Sequence, residues 1–260
     1  IQGNLIGTDT TGAAALPNAL NGVAIHGKFN VVGGSAAGDG NVISANVQNG
    51  VYLAGVSATG NKVLGNLIGT DQAGTAPLGN GLCGVMIVQG PDNTVGGVGA
   101  GESNVISAND RVGVYLDEGL RNQIQGNLVG TDRTGSLGLG NGFGVGLTNS
   151  PLNQIGGTLG AGNVIADSLG SGLFIIGSAS SSNVVEGNFI GTDASGSAAL
   201  GNQSQGIYLS APANTIGGTV PGAGNVVSGN LNVGISIGDA VSVGNLVQGN
   251  YIGLQADGSS

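Results

Sequence analysis

The chain has 260 residues and a net charge of −9, with only 7% charged and 3% aromatic side chains and no tryptophan. A hydrophobic fraction of 40% excludes a disordered low-complexity chain, and glycine that does not recur at every third residue excludes collagen. Five Lys and Arg against fourteen Asp and Glu exclude a nucleic-acid binder, which needs clustered cations, and leave little positive charge for an anionic polysaccharide.

Fifty-six glycines, 28 asparagines and many β-branched residues disfavour helix throughout. The apolar runs are too short for a transmembrane segment. A single cysteine, Cys83, permits no internal disulfide, so the fold must stand on packing. A soluble, β-rich, repetitive chain remains.

The repeat begins at the first residues. Gly-Asn-x-(Ile/Val)-Gly-Thr-Asp occupies Gly3–Asp9, Gly65–Asp71, Gly126–Asp132 and Gly187–Asp193, and a degraded copy starts at Gly249. The copies start 62, 61, 61 and 62 residues apart. Each period divides into two coils that share three phrases in chain order. The first is Asn-x-(Ile/Val), at Asn4, Asn41, Asn66, Asn104, Asn127, Asn163, Asn188, Asn225 and Asn250. The second is Gly, an apolar residue, a variable one and another apolar residue, as in Gly50-Val51-Tyr52-Leu53. The third is Asn-x-(Val/Ile)-x-Gly, at Asn30, Asn61, Asn93, Asn122, Asn153, Asn183, Asn214 and Asn245.

Three short strands per coil predict a single all-β domain over 1–260, a prism of about eight coils wound from parallel strands. At about 4.8 Å per rung the rod is roughly 40 Å long. Coils alternate between 36–38 and 23–25 residues, the longer ones carrying an insertion from Gly-Thr-Asp-x-x-Gly to Leu-(Gly/Pro)-Asn. Asparagine at two recurring corners is expected to be structural, each amide bonding to its copy one rung away. The chain starts and stops at the same point of the period, with no capping helix or charged segment. A slice of a longer array, or a protomer that stacks end to end into a homopolymer, is the expectation.

This grammar resembles the right-handed parallel β-helix proteins of the pectin-lyase-like superfamily over Ile1 to about Gly253. Its Asn-x-Ile-Gly-Gly and Gly-Asn-Val-Ile-Ser phrasing is most similar to repeats of large secreted bacterial surface proteins. The resemblance implies a right-handed β-helix and an extracellular or cell-surface location. It implies no single activity, because the superfamily holds lyases, hydrolases, epimerases, tailspikes and adhesins.

Strand alternation sends the variable residue of the second phrase outward. Down the rod this row reads Ala24, Tyr52, Met86, Tyr115, Gly146, Phe174, Tyr208 and Ser236. It collects three of the four tyrosines and the only methionine, so Tyr52, Met86, Tyr115, Phe174 and Tyr208 form a candidate surface for a polysaccharide or a surface protein. Cover by the inserted loops, or plain tolerance of β-formers at a strand position, is the opposing explanation.

Charges gather in the fourth coil at Asp110, Arg111, Asp117, Glu118 and Arg121. Paired carboxylates suit glycoside hydrolysis, and by the superfamily resemblance Arg111 or Arg121 is a candidate base for a lyase. Adjacent Asp117 and Glu118 are expected instead in the turn after the strand, solvated and paired with a neighbouring arginine.

Asp9, Asp71, Asp132 and Asp193 recur once per period. Asp-x-x-Gly is a turn phrase, and a calcium row is the sharper alternative, though no other cofactor is indicated. Cys83 is expected to be a small buried residue, and His26 a solvated turn residue. The leading reading is a structural and adhesive rod. A polysaccharide lyase or hydrolase at the fourth coil and a stacked filament are the alternatives.

Overall fold

The computed structural model describes all 260 residues and contains no helix. Twenty-five strands follow one another, and the first coil is Leu5–Ile6, Val23–Ile25 and Val31–Gly33. Every strand up to the last coil pairs in parallel with the strand three places later, as Val51–Ala54 does with Val85–Val88. The chain therefore winds through three faces in turn, and the faces become parallel sheets of nine, eight and eight strands. This is the right-handed parallel β-solenoid the repeat predicts.

The apolar residues of each phrase form columns down the interior. Val51, Leu53, Val85, Ile87, Val114 and Leu116 are fully buried from one face. Ile43, Ile68, Ile106 and Ile165 meet them from the nine-stranded face, and Val63, Val95, Ile124 and Ile155 from the third. Thirty residues make one continuous core. Each large aliphatic side chain contributes about 1.5–3 kcal/mol on burial.

Buried asparagines hold the corners. In the first ladder Asn66 donates from its backbone N–H and its Nδ2 to Oδ1 of Asn104, at 2.9 and 3.0 Å. The second proton of Asn66 Nδ2 goes to the carbonyls of Val32 and Leu64. The same pattern runs unbroken from Asn4 to Asn250. The second ladder, from Asn30 to Asn214, repeats it through Asn61, Asn93, Asn122, Asn153 and Asn183, and its last link is Asn214 N–H to Oδ1 of Asn245.

The structure adds a third ladder that the two recurring phrases do not announce. Asn18, Asn46, Asn80, Asn109 and Asn141 are linked amide to amide at 2.8–3.0 Å, and Asn202 is linked to Asn230. Between these two segments stands Ser168, whose buried Oγ is the one buried side-chain oxygen or nitrogen in the chain without a partner. Its backbone N–H still donates to Oδ1 of Asn202.

Corner glycines allow the rungs to close up. Gly69 has φ of +87°, and a Cβ there would collide with the carbonyl oxygen of Ser107 on the next rung.

The inserted loops leave the nine-stranded face and fold back over it. Bridges such as Thr70 to Pro77 close the base of each loop. A Cβ added to Gly12, Gly74 or Gly135 would lie 3.1–3.3 Å from Leu5, Leu67 or Leu128, the outward residues beneath. The loops also stack on one another two rungs apart, Gln72 N–H donating to Gly12 and Arg133 N–H to Gly74.

Ser168→Asn should complete the third ladder, giving Asn141 an acceptor and Asn202 a side-chain donor. The expected gain is about 1 kcal/mol, or about 2–4 °C in Tm by thermal denaturation. An unchanged or lower Tm would show that the corner cannot take the amide.

Candidate functional site

The eight-stranded face that begins with Val23–Ile25 carries the candidate site. Its strands are the longest, reaching six residues at Val112–Asp117 and Phe143–Thr148. Register places Ala24, Tyr52, Met86, Tyr115, Gly146, Phe174, Tyr208 and Ser236 side by side in one outward row. Met86, Tyr115, Phe174 and Tyr208 line a groove of about 670 Å³. None of the residues lining it belongs to an inserted loop, so loop cover does not explain the aromatic row.

Tyr52 lies outside the groove. Its ring meets the exposed His26 edge-on, at 6.3 Å between centroids.

Phe143 is a groove residue that the repeat grammar does not mark, because it precedes the glycine of its phrase. It pairs in register with Val112, is 41% exposed, and packs edge-on against Phe174 at 5.4 Å and 78°. Tyr115 and Phe174 lie 6.1 Å apart at 42°. The hydroxyl of Tyr115 donates to Thr148 Oγ1 at 2.9 Å, and Ser171 Oγ donates to Gln205. Thr148 keeps a proton to donate and Ser171 keeps lone pairs to accept. Asp110 and Arg111 stand at the groove wall.

The fourth-coil charges do not assemble as the sequence suggested. Asp117 is not in the turn but ends the strand, in register between Val88 and Thr148. Burial beside these neighbours, with a smaller push from Glu118, raises its carboxyl above the ordinary range. Glu118 occupies the turn with φ of +55° and accepts from Gln89 Nε2 rather than from an arginine. Arg121 is bidentate on Asp92 of the preceding coil, at 2.8 and 2.9 Å, the one ion pair of the chain. Arg111 is left without a carboxylate within ion-pair reach. Cys83 is buried at the groove edge, and desolvation pushes its thiol up to about 11, so it is a poor nucleophile.

The aspartate row is turn chemistry. Asp132 Oδ1 accepts from the N–H groups of Ser136 and Leu137 and from Thr134 Oγ1. Asp71 and Asp193 cap their loops in the same way, and Asp9 binds Thr11, Ala13 and Ala14. Burial raises the carboxyl of Asp132, but the loop amides and Thr134 outweigh it, and the net shift is downward. Nowhere do three or more His, Cys, Asp or Glu side chains converge on a common point as metal ligands would.

No family model, no curated protein and no solved structure matches the chain. The β-solenoid therefore stands on the strand topology, and membership of the pectin-lyase-like superfamily is not established.

The two aspartates should respond to pH in opposite senses. Asp132 binds its proton less tightly when folded, so its contribution is full above the ordinary value of 3.8 and fades as pH falls through the lower folded value. Asp132→Asn should lower Tm at about pH 7 and matter little near pH 2. Asp117 binds its proton more tightly when folded, so its ionisation costs stability as pH rises past 3.8. Asp117→Asn should raise Tm at about pH 7 and leave it unchanged near pH 3. Melting curves of both variants across pH check the pair.

Proposed function

We propose that the protein is a non-enzymatic β-solenoid rod, extracellular or displayed on a cell surface, that binds a neutral glycan chain along the aromatic groove. The observation that carries this reading is the in-register row of Met86, Tyr115, Phe174 and Tyr208, open in a groove on the face the loops leave bare. A sugar ring offers an apolar C–H face for such rings, and its hydroxyls both donate and accept. The spare proton of Thr148 and the spare lone pairs of Ser171 match that dual capacity. A net charge of −9 opposes an acidic polysaccharide. A rod with such a face belongs where glycans are displayed, outside the cell.

A lyase or hydrolase at the fourth coil is the weaker reading. Glycosidic hydrolysis sets two carboxyl groups about 5–9.5 Å apart across the bond. Asp110 lies two residues before a six-residue strand and Asp117 is its last residue, with about 16 Å between the strand's first and last residues. Glu118 is held by Gln89 and Arg121 by Asp92, so neither is free to complete a pair with Asp117.

Binding to immobilised neutral glycans is the test. Tyr115→Ala combined with Phe174→Ala should weaken binding by about 10–100-fold, a loss of about 1.4–2.8 kcal/mol. Tyr52→Ala, outside the groove, should leave it unchanged. Equal binding by the double variant, or release of new sugar ends by the wild type, would overturn the proposal.

A further inference from the structure

The aromatic floor depends on a side chain that is absent. Tyr115 and Phe174 lie two rungs apart, so their backbones are separated by about 9–10 Å. Their ring centroids nevertheless approach to 6.1 Å. The rung between them carries Gly146, in register with both. Tyr115 leans over that rung to reach Thr148, and the ring of Phe174 lies across the backbone of Gly146. A Cβ on Gly146 would stand 2.6 and 2.8 Å from two of that ring's carbons and closer still to a third. Gly146 is not in the left-handed region, so no backbone requirement explains its glycine.

We infer that Gly146 is the specificity-determining position of the groove: by leaving its rung bare it joins Tyr115 and Phe174 into one continuous floor suited to an extended, linear glycan. This rests on the glycan reading above. With Met86 and Tyr208 at its ends, the row spans four inter-rung steps, about 19 Å. Phe143 stands edge-on beside Phe174 as a wall. A side chain at position 146 lifts the ring of Phe174 and splits the floor into two separated platforms. An extended chain then loses continuous stacking, whereas a single sugar ring still finds one platform.

The test is calorimetric titration of wild type, Gly146→Val, Phe174→Ala and the double variant. The probes are linear neutral hexasaccharides of β-1,4-linked glucose, β-1,4-linked mannose and α-1,4-linked glucose, with the matching monosaccharides. For at least one hexasaccharide that wild type binds, Gly146→Val should weaken binding about tenfold or more. Any monosaccharide binding should stay unchanged. The double variant should bind no more weakly than Phe174→Ala alone, because Gly146 acts through that ring. Near-UV circular dichroism of Gly146→Val should also change in the tyrosine band, while the melting transition stays cooperative. If Gly146→Val fails to fold, Gly146→Ala serves in its place, since the first carbon already meets the ring. Wild-type affinity in the folded glycine variant overturns the inference and leaves the glycan reading intact. No binding of any probe by the wild type overturns both.

Discussion

Buried amide-to-amide hydrogen bonding is the constraint on which the rest of the rod depends. An unpaired amide in the interior costs about 1–3 kcal/mol, and in the first two ladders every rung presents its asparagine at the same corner as the rung before. Within each ladder the donors face one way, from one coil to Oδ1 of the next, and aligned dipoles of this kind reinforce one another. Register is thereby fixed at the corners, and the aliphatic columns fall into line between them. The same rule decides where the chain can vary. The insertion from Thr8 to Pro17 is bracketed by Asn4 of the first ladder and Asn18 of the third, both tied to the following coil. Length added between two anchored corners cannot slip the strands.

That division of labour produces a structural asymmetry among the three faces. The insertions return over the nine-stranded face, cover its outward Leu5, Leu67 and Leu128, and stack on each other. The face with the longest strands receives no such cover and is free to hold an aromatic row. Its outward positions are bound neither by the ladders nor by the core. A tyrosine, a methionine or a glycine there changes the surface without touching the fold.

Much of this was legible in the sequence, because a repeat with strict phrases reports its own register. The outward row was placed in the right order from alternation alone, and two of the ladders followed from Asn4 and Asn30 and their copies. The third ladder was hidden because its asparagines sit in two different phrases. Asn80 follows an inserted loop and Asn109 follows Ser-Ala, yet they meet in space at 2.9 Å. Phe143 escaped because the strand extends before its glycine, and Asp117 was misplaced because the same face extends its strand beyond the phrase. Which face the loops cover was not readable, since it depends on the direction in which they fold back and on contacts between loops about sixty residues apart.

The scarcity of charge has a physical origin in the same stacking. Neighbouring rungs lie about 4.8 Å apart, so a charge repeated at one phrase position would face its own copy, an arrangement that destabilises a sheet. Amides and hydroxyls escape this penalty because each donates to one neighbour and accepts from the other. Recurring polar positions are therefore Asn, Ser and Thr. The recurring aspartates occur only in every second coil, where each is wrapped by the N–H groups of its own loop. Arg121 and Asp92 occupy successive turns as opposite charges, the one ionic pairing that stacking favours. A rod built under this rule presents chiefly ring faces and hydroxyls at its surface, and Tyr115, Phe174 and Thr148 bring such groups together in one groove.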